Sequence, residues 1–206
     1  MRLLIAVALL AWGATVAGEP VTMAVAGPSS GAVNGAVVIL DPLDTRVTPR
    51  APGMVAGTID QIDKHFMPRI AVFQTGTAVS FPNSDRIRHQ VYSFSPARPF
   101  NLKLYAGIPA APVVFDHPGL VVLGCNIHDT MVGFVAIVNS PYFGRTDVNG
   151  RVTIEAPPGH YRLRIWHPDF AEPVAPRNVD IGNEAQTVVV AAELAPQPTT
   201  VSAWTD

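Results

Sequence analysis

Cysteine is nearly absent: the 206-residue chain has one, Cys125. No disulfide can form within the chain, so that thiol is free, intermolecular or bound to a metal. Long apolar runs are missing beyond the N-terminus. The run from Leu3 to Leu10, continuing through Trp12 to Val16, is shorter than the ~20 residues a membrane span needs. With Arg2 before it and small residues from Ala14 to Gly18 behind it, this segment reads as a secretory signal peptide over residues 1–17. The expectation is an exported, periplasmic chain with no membrane span. An excess of positive charge is also lacking. Removing the leader takes one of 14 basic side chains and none of 16 acidic ones, which deepens the net charge of −2 to about −3. That balance argues against nucleic acid as a partner.

Helical periodicity is the next absence. No window of 12 or more residues free of Pro and Gly repeats its apolar residues every 3.6 positions. Instead, 20 Pro and 16 Gly are spread along the chain as turn punctuation. Short strand candidates lie between them: Val21–Ala26, Ala36–Leu40, Thr58–Ile62, Ile70–Gln74, Ala78–Phe81, Gln90–Phe94, Asn101–Tyr105, Val113–Phe115, Leu120–Gly124 and Val132–Val138. A later group follows over Arg151–Glu155, Tyr161–His167, Asn178–Ile181 and Thr187–Leu194. Strands at this spacing predict an all-β sandwich architecture. Loop signals dominate residues 41–57 and 139–146, so residues 55–139 read as one unit. The tail over 195–206, rich in Pro, Thr and Ser, has no strand pattern and is expected to be mobile.

What is present is a dense ligand turn, Cys125-Asn126-Ile127-His128-Asp129-Thr130-Met131. A thiolate, an imidazole and a thioether on one loop suit a soft ion. Two His nitrogens, one Cys sulfur and a weak axial Met form the blue-copper donor set. The missing imidazole is expected from His89, in Phe81-Pro82-Asn83-Ser84-Asp85-Arg86-Ile87-Arg88-His89, where a polar loop runs into a strand pattern. Leu120–Leu123 would deliver Cys125 and Val132–Val138 would lead away, so the loop is tethered at both ends. Zinc can use two His and one Cys, but Met serves it poorly. A Cys-His nucleophile is disfavoured, because His128 is badly placed as its base and nothing marks an oxyanion hole. The chain is therefore not expected to be an enzyme. The duller readings are a buried small Cys and Met131 as core filler.

The two motifs Phe81-Pro82-Asn83-x-Asp85-x-x-x-His89 and Cys125-x-x-His128-x-x-Met131 resemble the cupredoxins, with a short ligand loop similar to that of amicyanin rather than plastocyanin or azurin. Together with Val91–Ser95, Gly124–Asp129 and Ile165–Pro168, they also resemble bacterial exported proteins labelled methylamine-utilisation or plastocyanin-like proteins. The resemblance implies a Greek-key β-sandwich holding one copper ion, Cu(I) or Cu(II), with His89, Cys125 and His128 as equatorial ligands and Met131 as axial ligand. It also implies one-electron transfer with a redox partner such as a dehydrogenase, cytochrome or oxidase, and entry of electrons at the His128 edge. Pro82, Ile127, Met131 and Val132 are candidates for a docking patch there. Flanking this unit, Gly31–Leu40, Thr146–Ile154 and Pro158–Leu163 resemble a carboxypeptidase-regulatory, transthyretin-like sandwich. The expected organisation is a host sandwich split into residues 20–54 and 140–194, with the cupredoxin unit inserted between its halves.

Around the ligands, Asn83 and Asn126 are candidates for locking the two loops together, whereas Asp85 and Asp129 read as turn formers. His65, His117, His160 and His167 fall outside the motifs. Two other functions remain open from sequence: copper sequestration or delivery, and a structural or interaction module in which copper is a staple. Five widely spaced Met residues count against delivery.

Overall fold

Strands before residue 44 pair with strands after residue 141, and the strands between them build separate sheets. The computed structural model describes residues 20–44, 56–109 and 111–196. The expected leader and residues 197–206 of the expected tail lie outside that range. Three strands open the described chain: β1 (Pro20–Gly27), β2 (Gly31–Ala32) and β3 (Val37–Pro42). Ten follow: β4 (Ala56–Thr58), β5 (Asp60–Ile62), β6 (His65–Met67), β7 (Ile70–Gln74), β8 (Thr77–Ser80), β9 (His89–Ser93), β10 (Phe100–Tyr105), β11 (Val113–Phe115), β12 (Gly119–Gly124) and β13 (Val132–Val138). The last five are β14 (Tyr142–Arg145), β15 (Arg151–Glu155), β16 (Gly159–Trp166), β17 (Arg177–Ile181) and β18 (Gln186–Ala191). The protein is all-β, and among the described residues no helix is long and apolar enough to cross a membrane.

β1 runs antiparallel to β15 and parallel to β18, while β3 lies between β14 and β16, with β17 at the edge. Period-two alternation drives this packing: Val21, Met23 and Val25 on β1 and Tyr161, Leu163 and Ile165 on β16 point inward, whereas Arg162 and Arg164 point out. Their shared core adds Val38, Leu40, Ile154, Ile181 and Val190. The second core draws on residues from 59 to 137. It lies within the β10-β9-β12-β13-β7 sheet, the β11-β8-β4 sheet and the β5-β6 hairpin, and includes Phe66, Phe81, Phe115, Leu123, Cys125 and Met131.

β13 is buried on both faces. Val135 and Ile137 enter the second core, and Ala136 and Val138 meet Val37, Ile39 and Ile70, with Phe134 and Trp166 alongside. Arg69 forms a two-pronged ion pair with Asp169, and its guanidinium sits 5.2 Å from the centroid of the Phe134 ring. Arg145 Nη1 also donates to Ile70 O at 2.8 Å.

Three local expectations need correction. Residues 139–146 contain a strand, β14, paired to β3 along Tyr142↔Leu40. Thr58–Ile62 is two strands in different sheets, separated at fully buried Ile59. His65–Met67 forms β6, for which no strand was expected.

Candidate metal centre

Neighbouring antiparallel strands bring the two motifs to one end of a sheet. β9 begins at His89, and β12 ends at Gly124, which pairs with Tyr92. The start of one strand and the finish of the next therefore lie side by side, with Cys125 one residue beyond. Gly124 pairs in turn with Val132 of β13, so the loop 125–131 closes on its own base. Met131 N donates to His128 O at 2.9 Å, which tightens the return.

The upstream loop is held as firmly. Gln61 N donates to Pro82 O, Asn83 N to Gly107 O and Ser84 N to Gln61 O. The Asn83 amide donates to Ile87 O and Tyr105 O, each at 2.9 Å. Gln61 is fully buried and its Nε2 donates to Pro82 O and to the Tyr105 hydroxyl, which itself donates to Phe81 O. Burial pushes the Tyr105 phenol up to about 12 against the hydrogen bond from Gln61, which lowers it, with smaller upward pushes from nearby Asp60 and Cys125. It remains a neutral donor.

His89, Cys125 and His128 come together: one donor atom from each lies within 4.8 Å of the others. His89 is 0% exposed and Cys125 3%. His89 Nδ1 is 3.8 Å from Cys125 Sγ, and the two imidazole centroids are 5.0 Å apart. Met131 is 0% exposed in the core that contains Cys125.

The donors fit a metal on two counts. His128 Nδ1 is buried without a hydrogen-bond partner. Such an orphan costs about 1–3 kcal/mol unless something satisfies it. His89 Nε2 meets Asp85 Oδ2 at 2.7 Å; the ionised carboxylate accepts a hydrogen bond from Nε2–H, which leaves a lone pair on Nδ1, the atom facing sulfur. A first-row ion bound ~2.0 Å from nitrogen and ~2.3 Å from thiolate separates such donors by roughly 3.5–3.7 Å, close to the separation found.

Asp85 was read from sequence as a turn former, and the structure corrects this. Burial works to raise its pKa, but the Lys64 N–H, His89 and the Asp63 N–H outweigh burial and hold the carboxyl below its ordinary range. Asn83 and Asn126 do not lock the two loops together. Asn83 binds its own loop and β10, and Asn126 is exposed. Met131 drops out of the expected docking patch because it is fully buried, whereas Ile127 is 52% and Val132 38% exposed. Asp129 is exposed, as are His65, His117 and His160, while His167 is buried far along the chain beside Phe170.

No known protein family and no curated protein matches the chain by sequence. Solved structures do align with part of it. A copper-containing nitrite reductase from Thermus scotoductus is 22% identical, with 48% of this chain and 26% of that one covered at a TM-score of 0.40. This chain thus spans about a quarter of that enzyme's length. A purple cupredoxin from Nitrosopumilus maritimus is 20% identical over 40% of this chain and 98% of its own, with a TM-score of 0.35. A reduced amicyanin variant is 19% identical over 48% and 97%, with a TM-score of 0.36.

Proposed function

We propose that the protein is an exported type 1 copper protein that passes single electrons between redox partners and transforms no substrate itself. The observation that carries this is the convergence of His89, Cys125 and His128 at one sheet end, with His89 Nδ1 3.8 Å from Cys125 Sγ and His128 Nδ1 buried without a hydrogen-bond partner. In this reading those three atoms hold one copper ion, and Met131 is the weak axial donor that favours copper over zinc. Bound copper supplies a one-electron couple. The chain's part is to keep the donors still, and strands at both ends of each loop do so. Burial of Cys125 and His89 keeps water from the sulfur. His128 is the least buried of the three and is the edge through which an electron enters. Exposed Ile127 and Val132 flank it as a contact for brief encounters.

The same burial weighs against a delivery role, which needs donors that a partner can reach. Two separate cores support a further reading, in which residues 55–139 form the copper unit and residues 20–54 with 140–194 the host sandwich into which it is inserted. The leader-like residues 1–17 support a periplasmic location.

The test is Cu(II) addition to purified protein with a visible spectrum. The expected result is an intense thiolate-to-copper band that is lost in Cys125→Ser. A pale spectrum equal in both proteins would refute the proposal.

A further inference from the structure

The β5–β6 turn contributes no candidate ligand, yet it grips the residue that orients one. Ile62 pairs with His65, so only Asp63 and Lys64 make the turn, and both have positive φ, 51° and 61°. Two successive left-handed residues suit a tight hairpin, but they are usually Asn-Gly or Asp-Gly; a lysine there is uncommon. Their backbone N–H groups converge on one carboxylate. Asp63 N donates to Asp85 Oδ1 at 2.7 Å and Lys64 N to Asp85 Oδ2 at 2.9 Å. Asp85 N is fixed in turn by Asn83 Oδ1 at 3.0 Å. The same Oδ2 accepts from His89 Nε2, on a ring that is 0% exposed. No solvent reaches that nitrogen, so Asp85 has no ready substitute.

We infer that the Asp63-Lys64 turn and Asp85 form a positioning clamp for His89, a role resting on the copper reading for its consequences but not for its existence. Two aligned N–H dipoles hold the carboxylate in place and ionised. The carboxylate holds the proton on Nε2 and fixes the ring's rotation, so that the Nδ1 lone pair faces Cys125 Sγ. A carboxylate behind an imidazole also makes the ring a stronger donor. That favours the higher-charged oxidation state of a bound ion, so the hairpin sets the reduction potential without touching the metal. Asp85 is a positioning residue.

The experiment has a metal-free and a copper-loaded arm. In the metal-free protein at one fixed alkaline pH, nitrogen-15 NMR of the His89 ring is expected to show Nε2 protonated and Nδ1 bare. Asp85→Ala is expected to mix the two tautomers. Asp85→Asn keeps the shape and guards against a folding failure; with Cu(II) as probe, both variants are expected to bind 10–100-fold more weakly and to have a higher reduction potential. The double variant Asp63→Asn, Lys64→Gly keeps the turn's N–H groups and is expected to behave as wild type. An unchanged tautomer in Asp85→Ala, or affinity within twofold of wild type in Asp85→Asn, would overturn the clamp. If wild type gives no thiolate band while its tautomer is fixed as stated, the copper reading fails and the clamp stands.

Discussion

Gly133 on β13 and Phe66 on β6 meet so closely that a β-carbon at position 133 would lie 3.0 Å from both Cβ and Cδ2 of Phe66. Phe66 is 1% exposed and is the buried residue of its three-residue strand, so this contact seats the β5-β6 hairpin on the main sheet. The absence of a side chain at 133 lets the turn at residues 63 and 64 reach Asp85.

Gly133→Ala is therefore expected to destabilise the fold by about 1–3 kcal/mol, the usual cost of overpacking. The Phe66 ring must give way near its own backbone, and the hairpin tilts with it. Urea unfolding measures the first effect. A drop in Cu(II) affinity larger than that of a destabilising change in the distant β1-β15 pair measures the second.

Met131→Leu separates an axial donor from core filler. The swap conserves volume, so the metal-free protein is expected to lose less than ~1.5 kcal/mol. If the thioether faces the ion, its removal takes electron density from the oxidised state, and voltammetry should read a higher potential while the thiolate band persists. An unchanged potential would leave Met131 a packing residue.

Acid should loosen the contact between the two cores in two stages. Burial lowers the His167 pKa; Arg69 adds to this, against opposing contributions from Asp169 and the Asn34 backbone. Its Nδ1 also accepts from Asp169 N at 3.1 Å. The unfolded histidine takes up its proton near pH 6.5 and the folded one at lower pH. The His167 contribution to stability is thus level above about 6.5 and falls as the pH drops from there to the folded pKa. Asp169 is held low, chiefly by its hydrogen bond from Arg69. Its contribution is present above the ordinary carboxylate range and is lost as pH falls through the folded pKa. Unfolding midpoints across pH should show both slopes, and His167→Gln should abolish the upper one alone.

How much of this could be read in advance depends on how local each signal is. The alternation in Val21–Val25 and Leu163–Ile165 belongs to single strands, so those strands were visible in the sequence. The Cys-x-x-His-x-x-Met spacing is contained in one loop, and His89 stands out as a histidine opening a strand. β14 was hidden because Pro141 and Gly144 mark loops, while its pairing to β3 is supplied by residues a hundred positions away. β6 was hidden because three residues with one buried side chain carry no periodicity. Asp85 was the largest miss. Its spacing to His89 is visible, but the two N–H groups that fix it come from a turn 21 and 22 residues upstream whose geometry no residue pattern announces.

Copper-edge X-ray absorption on the Cu-loaded protein counts the donors themselves. One sulfur and two imidazole nitrogens at bonding distance in wild type, with the sulfur lost in Cys125→Ser and one imidazole lost in His89→Ala, is the expected result. A first shell made of nitrogen and oxygen alone, unchanged by either substitution, would contradict the account.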